Sequence, residues 1–72
     1  MQAEECREAF KRLFPSREAA ARFFGKDERT IRRWQAGDWP VPAPVAKLTA
    51  VMIRMDLTPE RVDHEWMREM GL

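Results

Sequence analysis

Between residues 4 and 14, Cys6, Phe10, Leu13 and Phe14 fall on one helical stripe while Arg7, Lys11 and Arg12 fall opposite, and Glu8 precedes Arg12 by one turn. The spacing predicts a first helix over 4–14, stopped by Pro15. Ser16 then offers a hydroxyl to the free amides of a second helix, Arg17–Phe24, which is rich in alanine and halts at Gly25. Asp27 caps a third helix, Glu28–Ala36, whose inward residues are Ile31 and Trp34, and Gly37 supplies the left-handed residue that closes it. Pro40, Pro42 and Pro44 remove three backbone donors within five residues, so 38–44 is a stiff connector. Val45, Leu48, Val51, Met52 and Met55 predict a fourth helix over 44–55 that covers the core. Thr58-Pro59 restarts the chain with an N-cap and a first-turn proline, Leu57 and Val62 are placed to staple across it, and the fifth helix is expected over 59–70.

No strand-period segment, repeat or low-complexity tract interrupts this pattern, so the fold class expected is all-α, with five helices in one domain over 1–72. Seventy-two residues exclude a multidomain enzyme. With 44% hydrophobic and 35% charged residues and no apolar run of membrane-spanning length, the chain is expected to be soluble and to need no membrane. A single cysteine, Cys6, excludes an internal disulfide framework or a cysteine-rich zinc site, and no signal-peptide pattern opens the sequence, which points to the cytoplasm. Catalytic groups are scarce. His64 lies in a charged, solvated stretch, Cys6 on an amphipathic one, Ser16 is spent on a cap, and tyrosine is absent. No enzyme activity, metal or cofactor is expected.

The net charge of +1 conceals a gradient, because positive charge concentrates between residues 11 and 33 while both ends of the chain are acidic. Such a distribution presents one face to a polyanion and turns the other away from it. Two short helices joined at Gly25, the second alternating basic and apolar positions, is the arrangement a helix-turn-helix requires.

The segment 16–37, Ser-Arg-Glu-Ala-Ala-Ala-Arg-Phe-Phe-Gly-Lys-Asp-Glu-Arg-Thr-Ile-Arg-Arg-Trp-Gln-Ala-Gly, resembles the helix-turn-helix of the Cro and lambda-repressor-like family, with Ala21, Gly25, Thr30, Ile31, Trp34 and Gly37 matching its pattern. Ala21 is small where the helices cross, Gly25 takes the turn, and Ile31 and Trp34 set the angle of the recognition helix. The resemblance implies a compact five-helix DNA-binding domain of a small phage or bacterial regulator, with the motif at helices two and three. Size and motif also resemble anti-CRISPR-associated autoregulators. Lys26 departs from the small apolar residue usual in the family's turn, and Glu28 puts an acid at a reading position.

Carried onto this chain, the family's base readers fall on Glu28, Arg29 and Arg33. An arginine fork can bond guanine O6 and N7 and a glutamate can accept from cytosine N4, so an operator containing G·C pairs is expected. Backbone contacts are expected from Arg17, which opens the second helix, and from Arg32, Lys26, Arg22 and Lys47. A bland alternative is that Glu28 merely pairs with Arg32 on a solvated face, which leaves Arg29 and Arg33 unexplained. The function expected is that of a sequence-specific transcriptional regulator, a repressor or autorepressor on a palindromic double-stranded operator. One recognition helix reads too few base pairs to select a genomic site, so a homodimer is expected, paired through Trp66, Met67, Met70 and Leu72 of the acidic C-terminal end. Two other readings compete: a winged-helix excisionase or MerR-like DNA binder, which needs a β-wing, and a helical protein-interaction module such as an antitoxin or inhibitor, which would use Trp39, Trp66 and the methionines.

Overall fold

The computed structural model describes the backbone of residues 1–67 and the side chains of residues 1–64. Every described element is helical, in the order α1 (Ala3–Leu13), α2 (Arg17–Phe24), α3 (Glu28–Ala36), α4 (Ala43–Arg54) and α5 (Pro59–Arg61), the last running on as a π-helix over Val62–Met67. Caps explain where several of these helices begin. The Glu5 carboxylate accepts from the Gln2 amide at 3.0 Å, Ser16 Oγ accepts from the Ala19 amide at 3.1 Å, and Thr58 Oγ1 accepts from the Arg61 amide at 3.2 Å. Phe14 is the C-cap of α1, one residue beyond its last turn, and donates its amide to the Phe10 carbonyl at 2.8 Å.

α2 and α3 are joined through Gly25 at φ 69°, and Gly37 closes α3 at φ 84°. A Cβ at Gly25 meets nothing within 4 Å, whereas one at Gly37 comes within 3.3 Å of the Ala3 Cβ. Gly25→Ala is therefore expected to cost about 1–2 kcal/mol from the left-handed backbone alone. Gly37→Ala should cost more, because α1 must also give way, and urea unfolding of the two variants measures the difference.

α3 packs against α1 and α2, and α4 packs against α1. Between them lies the core: Cys6, Ala9, Phe10 and Phe14 from the first helix and its cap, Ala20 and Ala21 from the second, Ile31 and Trp34 from the third. Phe10 stacks on Phe24 at 5.4 Å and meets Phe14 and Trp34 edge-on at 5.6 and 6.5 Å, so aromatic rings fill most of the centre. The Cα radius of gyration, 11.8 Å, is near the roughly 11 Å expected for a folded chain of this length. No helix among the described residues is long and apolar enough to cross a membrane.

Two expectations need correcting. The fourth helix spans Ala43–Arg54, with the Pro44 ring in its first turn where no amide is missed. It turns Thr49 and Met52 inward, both fully buried, and packs Val45, as expected, and Ile53 against the core, but leaves Val51 43% and Met55 63% exposed. The reason is that the apolar arc of α4 is wider than the space beside α1. The small Thr49 takes an inward place, its hydroxyl buried without a hydrogen-bond partner among the described residues, while Leu48 is half-buried and Val51 and Met55 are exposed. Similarly, the helix expected over 59–70 is α over Pro59–Arg61 and runs on in π turns over Val62–Met67, and its last three residues, 68–70, lie outside the described residues. One-turn apolar spacing is common to both geometries, so the spacing could not separate them. The expected staple pair, Leu57 and Val62, is half-buried and lines one groove.

Candidate nucleic-acid interface

The local sequence of α3 fixes both its start and its rotation. Asp27 accepts at 2.8 Å from the Thr30 amide and at 2.7 Å from the Thr30 hydroxyl. These bonds, the hydroxyl's foremost, together with the nearby Arg29 charge, hold the Asp27 carboxyl below the ordinary carboxylate range, so the cap stays ionised. Ile31 at 0% and Trp34 at 3% exposure pin one face of α3 into the core. Residues on the opposite face are thereby presented outward. Glu28, Arg29 and Arg32 are exposed, and among the described residues Glu28 and Arg32 form no ion pair.

Arg33 differs from its neighbours. It is half-buried, and its guanidinium carbon lies 4.8 Å from the centre of the Trp39 ring. Its Nε is buried without a hydrogen-bond partner among the described residues. The contact arises because the chain folds back after Gly37, with the Asp38 and Trp39 amides both donating to the Arg33 carbonyl, at 3.0 and 3.3 Å.

Arg17 is joined to α3 as well as to α2. Its Nε donates to Gln35 Oε1 at 2.8 Å, and Arg7 Nη1 donates to the Gln35 carbonyl at 2.6 Å. One residue in the last turn of α3 thus ties together the outer face of α1 and the first turn of α2. Arg7, Lys11 and Arg17 line a common groove of about 420 Å³ with Ser16 and Gln35, and no carboxylate among the described residues lines it. Three cations around an open concavity create a favourable field for an anion. Arg7 and Lys11 were legible as the polar face of the first helix, but their convergence on Arg17 depends on a crossing that spacing does not encode.

The other expected backbone contacts do not join this groove. Arg22 lines a separate depression with Glu60 and Asp63, Lys47 borders an apolar groove with Leu48 and Val51, and Lys26 is exposed in the turn between α2 and α3. Of the expected pairing residues, Met70 and Leu72, and the side chains of Trp66 and Met67, lie outside the described residues.

Burial pushes the Cys6 thiol up, so it remains protonated at neutral pH and is ill suited to nucleophilic work. Among the described residues no group of three histidine, cysteine or acidic side chains converges as metal ligands would. In comparison with known proteins, the chain matches no family model, no curated protein and no solved structure.

Proposed function

We propose that this chain is a sequence-specific, double-stranded DNA-binding transcriptional regulator of the lambda-repressor-like helix-turn-helix kind, acting in the cytoplasm as a dimeric repressor or autorepressor. The observation that carries the reading is the two-sided character of α3. Ile31 and Trp34 anchor one side in the core, while Glu28, Arg29 and Arg32 stand exposed on the other with Arg33 at their edge. A helix held in this way can enter a major groove without rearrangement, with Glu28, Arg29 and Arg33 at base edges. Arg17, Arg7 and Lys11 supply flanking charge for phosphates, and Lys26 and Arg32 border the reading face.

Dimerisation on a palindromic operator is supported by an apolar surface that the sequence did not single out. Leu48, Val51, Leu57 and Val62 line a groove of about 310 Å³ between α4 and the C-terminal helical segment, with the exposed Met55 on α4. Lys47 and Arg54 lie on α4, whereas after it in the chain the carboxylates Asp56, Glu60 and Asp63 outnumber the one cation among them, Arg61, so a two-fold pairing can set the cations of one copy's α4 against the carboxylates of the other. A helical protein-interaction module could use the same groove. The winged alternative needs a β-hairpin after α3, and residues 38–42 contain no strand.

Affinity for a selected and for a scrambled duplex, measured across a range of salt concentrations, tests the reading. The logarithm of the association constant should fall linearly with that of salt for both duplexes, the selected one remaining tighter throughout. Absence of duplex binding, combined with a salt-insensitive complex with a protein, would replace DNA regulation with the interaction-module reading.

A further inference from the structure

Arg33 is the one expected base reader whose head group is already held in the free chain. Its Nη atoms make no hydrogen bond among the described residues, and its Nε is buried with no acceptor, so the π face of Trp39 is what orients the guanidinium. Trp39 is itself 45% exposed, too open for its main task to be filling the core. Its place is fixed by the backbone: the bonds from Asp38 and Trp39 to the Arg33 carbonyl return the chain, and Pro40 and Pro42 stiffen the connector beyond the ring. The connector therefore brings an aromatic plane back over the side chain of the residue whose carbonyl anchors it.

From this we infer that Trp39 is a specificity-determining positioning residue, which holds the Arg33 fork in a plane ready for one base pair. The inference rests on the reading of α3 as the recognition helix. An unrestrained arginine must lose rotamer freedom when it reads a base, and it can swing to a phosphate instead. A guanidinium held over a ring can keep its Nη donors free and loses less on binding. Trp39 thus acts through Arg33 and need not touch DNA.

Selection from randomised duplexes, followed by titration of the enriched site, tests this with the full chain carrying Trp39→Phe, Trp39→Leu, Arg33→Ala or Trp39→Leu with Arg33→Ala. Trp39→Leu, which retains apolar bulk without a π face, should lower the ratio of selected-site to scrambled affinity about three- to thirtyfold, the range a cation–π contact spans. Base preference should weaken at the position that Arg33→Ala also relaxes. Trp39→Phe should keep most of that preference, and in the Trp39→Leu background Arg33→Ala should add little. Melting curves of the Trp39 single variants should stay near the wild type, because the ring is 45% exposed and lies outside the buried core cluster. A folded Trp39→Leu protein with unchanged preference, or a loss that adds in full to that of Arg33→Ala, overturns the inference and leaves the reading of α3 intact. A wild type that enriches no sequence overturns that reading and the inference together.

Discussion

Trp34→Ala will lower the unfolding free energy by about 3–5 kcal/mol, the range for truncating a buried aromatic residue. The ring is 3% exposed and meets Phe10 and Phe24 edge-on at 6.5 and 6.4 Å, so its removal opens a void where three helices converge. A domain of this length holds about 4–11 kcal/mol in total, and the variant should be partly or wholly unfolded at physiological temperature. Loss of DNA binding would then result from loss of the fold, and thermal and urea unfolding monitored by circular dichroism would register it. If Trp34→Ala melted like the wild type yet failed to bind, the ring would belong to the interface rather than to the core, and the rotation assigned to α3 would be wrong.

The second large effect concerns recognition. Arg29→Ala removes an exposed guanidinium from the first turn of α3 without disturbing a buried contact. Stability should therefore change little. Affinity for the selected duplex should fall by about 1–3 kcal/mol, with a smaller loss on scrambled DNA, as expected when a bidentate contact to guanine disappears. Arg17→Ala offers the contrast. It should weaken both duplexes to a similar extent and reduce the salt slope by about one, since a phosphate contact carries no sequence information. Equal losses of Arg29→Ala on both duplexes, by titration under matched salt, would move Arg29 from base reader to phosphate contact.

Local chemistry explains which parts of this molecule could be read in advance. Ser16, Asp27 and Thr58 each cap the helix expected of them, and Gly25 and Gly37 take the left-handed conformation, because a cap or turn depends on residues within four positions. The buried stripe of α3 was equally legible, since a nine-residue helix carrying only Ile31 and Trp34 as large apolar groups has only one way to face a core. α4 is richer in apolar residues than its contact with α1 can cover, so which of them point inward depended on tertiary fit, and Thr49 took a place that hydrophobicity would have given to Leu48 or Val51.

The candidate interface divides along the same line. Glu28, Arg29 and Arg32 stand outward as helical spacing required. Joining Arg7 and Arg17 through Gln35, and Arg33 to Trp39, required contacts between elements whose relative placement no periodicity records. The sequence offered Trp39 only to a protein-interaction reading and gave no sign of the cation held against its ring.

Guanine N7 lies in the major groove, which makes methylation interference on the selected duplex the most direct measurement of the central claim that α3 reads bases there. Modified guanines should block binding of the wild type at a few positions, repeated in each half of the site if the protein binds as a dimer. Arg29→Ala should relieve interference at one position in each half. Interference spread evenly along the duplex, or none at any guanine while binding persists, would contradict the account and leave α3 an ordinary charged helix on a protein that meets DNA elsewhere.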